Sequence, residues 1–261
     1  MINGIRRWSS ITTEDFVDMA GSIALLPVSA VEQHGPHLPL GVDALINEAI
    51  VTKVMTFAPE GLSVMVLPQQ VIGYSEEHQS FPGTLSFSIE TLLSTWREIG
   101  ESVAKAGLRK LVIFNSHGGQ NELMTLAARQ LRISTDLFVA AASWTHLIDL
   151  EDLVTPHERR FGIHGGAIET ALMLHIAPEE VKMERIDNFI SKGQAVADVS
   201  THLQPTGRNT YAWMTEDLNK TGAVGDASQA TSSMGKEILD RAVKGLIEFL
   251  YDVNRITPHS S

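Results

Sequence analysis

Residues 110–122 read KLVIFNSHGGQNE and change character at a single point. The first half, KLVIFN, is a short and almost continuous apolar run containing β-branched and aromatic residues, the pattern of a strand covered on both faces. The second half turns polar at once, with His117, Gly118, Gly119 and an acid, and opens onto a helical pattern over 120–133. A buried strand that empties into a glycine-containing polar loop and then a helix is half of a βαβ unit. Working outward, the alternation recurs. Segments 22–28, 63–68 and 137–143 read as further strands, and 42–57, 88–106, 167–174 and 232–251 as helices, the last with Ile238, Leu239, Ala242, Leu246 and Phe249 on one face. Ser88 is placed to cap its helix and Gly107 to end it in the left-handed conformation. Such strands, separated by helices, predict an α/β fold with a mostly parallel sheet covered on both faces. The weakly periodic stretch 192–224 reads as long loops. No repeat or linker divides the chain, so a single domain over 1–261 is expected.

The bulk composition narrows the function. The chain has 261 residues, 43% apolar and 20% charged, an ordinary globular balance. Cysteine is absent, which excludes disulfides, thiolate zinc sites and thiol catalysis. A formal charge of −11 argues against a nucleic-acid partner. No apolar run approaches the length needed to cross a bilayer, and the N-terminus has no signal-peptide core. A cytoplasmic protein without a membrane partner is the expectation.

In an open parallel sheet, ligands sit beyond the carboxyl ends of the strands. Polar clusters fall there repeatedly: EQHGPHLPLGVD (residues 32–43) after the first strand, GYSEEHQSFPGT (73–84) after the second, NSHGGQNE (115–122) after the third and WTHL (144–147) after the fourth. FGIHGGAIET (161–170) then opens another helix. Glu32 and His34, two apart in extended chain, point to the same side. With Asp43 they offer the mixed carboxylate and imidazole donors that hard or borderline divalent cations favour, and a carboxylate such as Asp43 can bridge two ions. A solvated loop with an acid at a helix start explains the same residues more modestly. His117 is a ligand candidate or a locally satisfied strand-end histidine, and Gly118 and Gly119 beside it permit close backbone approach. His164 can ligate or move a proton near neutral pH, and Glu169 can ligate or simply face a helix N-terminus. His78 and the FPGT turn can line a pocket, and Trp144 serves the core, the pocket wall or both. Nucleotide-binding glycine motifs, the G-x-S-x-G elbow and H-E-x-x-H are missing.

The blocks PVSAVEQHGPHLPLGVD, FPGT, NSHGG and HGGAIET, in that order from Pro27 to Thr170, resemble the signatures of the creatininase (creatinine amidohydrolase) family. The resemblance implies a three-layer α/β/α sandwich and two divalent ions per subunit, zinc, manganese or iron. It implies Glu32, His34, Asp43 and His117 as ligands, with Asp43 bridging. Glu169 is expected as the remaining ligand, because the glutamate that creatininase carries after its third-strand histidine is replaced here by Gly119. His164 matches a histidine near the substrate and is the candidate proton shuttle, so His164 and Glu169 are the expected catalytic pair. The implied reaction is attack of a metal-activated water on an amide carbonyl. His78, Gly118, Gly119, Trp144 and Arg160 are expected to face the substrate. Creatinine itself is not the expected substrate, since Arg160 stands where creatininase has a tryptophan that encloses the ring.

A small-molecule amide or formamide is therefore the expected substrate, with trimming of a modified peptide as the alternative within the family. Family members assemble, often as hexamers, so a homo-oligomer is expected. Two other classes stay open: a metal-binding protein without turnover, and a serine hydrolase using Ser29 or Ser116, whose activity would survive chelators.

Overall fold

The computed structural model describes residues 4–57 and 60–257. Strands β1 (Gly4–Arg7), β2 (Ile23–Val28), β3 (Ser63–Val66), β4 (Lys110–Asn115) and β5 (Phe138–Ser143) form one sheet in the order β1-β3-β2-β4-β5. Every pairing in it is parallel. Helix α1 (Val42–Phe57) follows β2, α2 (Ile89–Lys105) follows β3, and α3 (Asn121–Ser134) follows β4. Beyond β5 come α4 (Pro156–Phe161), α5 (Ala167–Ile176), α6 (Gly193–Asp198), α7 (Thr215–Leu218) and α8 (Ser232–Arg255). A two-stranded antiparallel ribbon joins β6 (Asn188–Phe189) to β7 (Gly225–Asp226).

The period-two alternation along β2 divides the core. Ile23 and Leu25 enter one apolar cluster with residues of α1, α5 and α8, whereas Ala24, Leu26 and Val28 enter another with residues of α2 and α3. The protein is thus a three-layer α/β/α sandwich. The Ser88 hydroxyl caps α2 by accepting from the Thr91 N–H at 3.3 Å, and Gly107 follows that helix at φ +92°. Strand β1 has no apolar alternation to announce it: GIRR lies half-exposed at the edge and pairs with β3 alone. Among the described residues no helix is long and apolar enough to cross a membrane.

Strand order positions the site. From β2 the chain passes through α1 to β3 on one side, and then crosses to β4 on the other. Helices α1 and α3 leave the sheet toward opposite faces. The loops after β2 and β4 therefore part above two adjacent strands, where Val28 lies opposite Asn115. A crevice at such a switch point is where parallel sheets bind ligands.

Candidate metal centre

The loop after β2 carries Glu32 and His34 and is closed by the Glu32 N–H donating to the Leu40 carbonyl at 3.0 Å. This fold-back of the Gly- and Pro-rich stretch delivers Asp43 in the first turn of α1. His117 leaves β4 directly, and Glu169 lies in the first turn of α5. Each histidine is oriented by a backbone carbonyl. His34 Nδ1–H donates to the Glu32 carbonyl at 3.0 Å, so its Nε2 faces Asp43 Oδ1 at 3.5 Å and Glu169 Oε1 at 3.9 Å. His117 Nε2–H donates to the Tyr74 carbonyl at 2.7 Å, leaving Nδ1 at 3.2 Å from both Glu32 Oε1 and Asp43 Oδ2. Ligand histidines are oriented in this way by the hydrogen bond of the other ring nitrogen. Glu169 keeps one oxygen toward His34 while the other accepts the Gly165 N–H at 2.6 Å.

Two sets of three donors result, Glu32–Asp43–His117 and His34–Asp43–Glu169, each with donor atoms within 4.8 Å of one another, and Asp43 belongs to both. A further set, Glu32–His34–His164, overlaps them. Glu32, His34, Asp43 and His117 are buried, yet both Glu32 carboxylate oxygens, Asp43 Oδ2 and His34 Nε2 have no hydrogen-bond partner. Unpartnered carboxylate oxygens in an interior are expensive, and native proteins seldom leave them so. The field of the site also asks for positive charge. Burial opposes a charge on His34, yet Asp43, Glu169 and Glu32 raise it to about 9. Burial likewise opposes charge on His117, which Glu32 and Asp43 hold well above the ordinary histidine value. Asp43, despite burial, is held well below the carboxylate range by His34 and His117. Mixed carboxylate and imidazole donors around this charge deficit fit divalent cations.

The surrounding side chains hold these donors in place. Asn115 Oδ1 accepts the His117 N–H at 3.0 Å, and the buried Gln120 donates to that same oxygen at 2.8 Å while accepting the Tyr74 N–H at 3.2 Å. Ser116 Oγ donates to the Asp43 carbonyl at 2.8 Å, and Ser29 Oγ to the Gln70 carbonyl at 3.3 Å. Both hydroxyls serve backbone, and neither lines the cavity over the cluster, which leaves the serine-hydrolase alternative without support.

That cavity measures about 890 Å³. Glu32, Asp43, His117, His164 and Glu169 form part of its lining, with Tyr74, Glu76 and Glu77 from the loop after β3, Arg159 and Arg160 from α4, and Tyr211 and Trp213 from the segment 205–214.

The family model described as Creatininase, creatinine amidohydrolase, matches residues 9–250. The chain belongs to the creatininase family. It is 31% identical to the mycofactocin precursor peptide peptidase of Mycolicibacterium smegmatis, over 85% of this chain and 82% of that one. It is 29% identical to the creatinine amidohydrolase of Pseudomonas putida, over 87% of each chain. Among solved structures, a creatininase mutant of the Zn-Zn type superimposes with a TM-score of 0.75 at 25% identity, covering 96% of this chain and 98% of that one. A manganese creatininase gives 0.74 at 23% identity, covering 96% and 99%, a likeness of fold.

Within this creatininase-family site, His78, Gly118, Gly119, His164 and Arg160 all line the cavity. Trp144 does not. It is 2% exposed and packs in the α1/α5/α8 core, because the chain turns after β5 so that Thr145 and His146 face the cavity instead. Gly119 also makes room for a neighbour: the space a side chain there would fill is taken by Glu77. Arg160 donates from Nε and Nη2 to Gln204 Oε1 at 3.1 and 3.0 Å, tying α4 to the segment that walls the cavity. His37, the second histidine of EQHGPH, stands outside the cluster. It is hydrogen-bonded to Thr170 Oγ1 at 2.9 Å, stacked on Phe189, and pushed down to about 4 by burial and the neighbouring His34. Sequence reasoning missed Glu77 and the 205–214 wall. The paired glutamates of GYSEEH were the available signal for the first; the second has no periodicity to read.

Proposed function

We propose that this protein hydrolyses a C–N amide or formamide bond of a small molecule at a dinuclear centre held by Glu32, His34, Asp43, His117 and Glu169, with Asp43 shared. The observation that carries the reading is the pair of donor sets meeting at Asp43, each with buried atoms left unpartnered, the Glu32 oxygens and Asp43 Oδ2 in one and His34 Nε2 in the other. Divalent cations bound there, zinc, manganese or iron, would acidify water and polarise the amide carbonyl.

The chain's own residues supply the rest. Burial and the neighbouring His34 depress His164 to about 4, so it is neutral at physiological pH. Its Nε2–H donates to the Gln33 carbonyl, which leaves Nδ1 bare, 3.7 Å from Glu32 Oε1. A neutral imidazole presenting a lone pair suits removal of a proton from water and its delivery to the leaving nitrogen. Tyr211 and Trp213 offer faces against which the non-reacting part of a substrate can lie.

The cavity far exceeds the single small ring of creatinine, and Arg160 stands where creatininase has the tryptophan that encloses that ring, so creatinine is disfavoured. Cavity size also supports a second reading, trimming of a modified peptide, in keeping with the mycobacterial relatives. A homo-oligomer, which the family resemblance implies, is part of the same reading. Metal analysis followed by a screen of amides, formamides and short peptides tests the function. Turnover abolished by a chelator and indifferent to a serine-directed inhibitor is expected. Metal-free turnover, or none with any amide by the metal-loaded protein, would overturn it.

A further inference from the structure

Gln33, between Glu32 and His34, is buried and turned away from both donor sets. Its side-chain oxygen accepts the Gly35 N–H at 2.9 Å, while its amide nitrogen lies 3.0 Å from the Gly222 carbonyl and 2.7 Å from His78 Nδ1. Turning the amide over would set N–H against N–H at Gly35 and oxygen against oxygen at Gly222, so the nitrogen is the atom that faces His78. An amide nitrogen only donates. His78 Nδ1 therefore accepts, and the proton of the neutral ring sits on Nε2. Thr215 Oγ1 lies 2.9 Å from both His78 Nδ1 and the Glu77 carbonyl, and its one proton can turn to either, so it too can serve a bare Nδ1. The Gln33 backbone carbonyl meanwhile receives His164 Nε2–H.

One residue thus sets both rings in the same tautomer but in opposite senses. His78 turns its N–H toward Glu32 Oε1 at 3.4 Å, and His164 turns its bare Nδ1 toward the same oxygen at 3.7 Å. We propose that Gln33 is a positioning residue of the reaction: it holds His78 as the hydrogen-bond donor of the cavity and His164 as its proton acceptor, so that neither takes the other's part. Gly222 belongs to this device. It adopts φ +90°, and a Cβ there would lie 2.0 Å from Gln33 Oε1, so only glycine lets a turn 189 residues away bring its carbonyl to the amide.

The ring states stand on these contacts alone; only their consequence for turnover rests on the hydrolase reading. The test is a long-range proton–nitrogen NMR correlation on zinc-loaded protein labelled with nitrogen-15 at histidine, the two rings being assigned from His78→Asn and His164→Asn spectra. Wild type is expected to show both rings protonated on Nε2 and bare on Nδ1. In Gln33→Glu the side chain has no donor, so His78 is expected to take a proton on Nδ1. His164, whose partner is backbone, is expected to stay as it was. With zinc content unchanged, kcat/KM is expected to fall about 10–100-fold, through kcat more than KM. A wild-type His78 protonated on Nδ1 overturns the proposal, whatever the variant does. So does a Gln33→Glu protein in which His78 keeps its wild-type state. The expected ring states in a protein that turns over no amide uphold the tautomer assignment and sink the hydrolase reading instead.

Discussion

Gly119 and Glu77 share one space: a Cβ on Gly119 would lie 1.9 Å from Glu77 Oε1 and 2.7 Å from His117 Nε2. The Glu77 side chain, 16% exposed, reaches over residue 119 to within 3.9 Å of His117 Nε2 and 4.0 Å of His78 Nε2. Gly119→Ala is therefore expected to force the carboxylate and the imidazole apart, at the roughly 1–3 kcal/mol typical of overpacking, seen as a melting temperature lower by several degrees. Glu77→Ala in the same protein should recover most of that loss. Thermal unfolding of the four proteins of the cycle measures it, and a Gly119→Ala protein as stable as wild type would contradict the packing.

Asp43→Ala and His34→Ala should each abolish activity, by about 100-fold or more, while circular dichroism stays that of the wild type. The fold is expected to survive because Asp43 Oδ2 and His34 Nε2 have no hydrogen-bond partner to lose, and His34→Ala gives up only the local bond to the Glu32 carbonyl. Metal content should fall with activity; full turnover by a metal-depleted Asp43→Ala protein would refute the ligand assignment.

Glu158 bolts the site from below. Its buried carboxylate accepts the Ala167 N–H at the start of α5 and the Asp226 N–H of β7, each at 2.8 Å, among Gly162, Gly166 and Gly225. An amide can serve only one of these donors, so Glu158→Gln should cost about 1–3 kcal/mol in chemical denaturation. Because His164 and Glu169 flank that junction, activity should drop with it.

The metal-free protein should be most stable near the ordinary histidine value. Raised to about 9, His34 contributes stability that is complete below about 6.5 and is lost as pH climbs through 9. Depressed to about 4, His164 and His37 act in reverse, withdrawing stability as pH falls from about 6.5 through 4. Melting temperatures of the metal-free protein should pass through a maximum between these limbs. Metal should flatten the alkaline limb, since cations replace the protons on His34 and His117. An alkaline limb that rises without metal would contradict this.

Much of the sheet was legible because β2, β3 and β4 are largely buried and, like the half-buried edge strand β5, read as apolar runs with polar exits. Strand β1 was not, since an edge strand of GIRR carries no such signature. That Glu32, His34, Asp43 and His117 would lie close together was legible because loops after neighbouring strands meet at a switch point, whereas Glu169, in the first turn of α5, was expected from the family resemblance. Trp144 was misplaced because a one-residue shift in a turn decides whether a side chain enters core or cavity. Glu77 and the 205–214 wall depend on contacts between distant segments, which local pattern does not encode. Gln33 sat in plain view in EQHG, yet its partner at Gly222 emerges only from the fold.

Anomalous X-ray scattering from crystals soaked in manganese or zinc tests the shared centre most directly. Two peaks per chain are expected, one between Glu32, Asp43 and His117 and the other between His34, Asp43 and Glu169, with one Asp43 oxygen turned toward each. A single peak, or density away from Asp43, would contradict a dinuclear site.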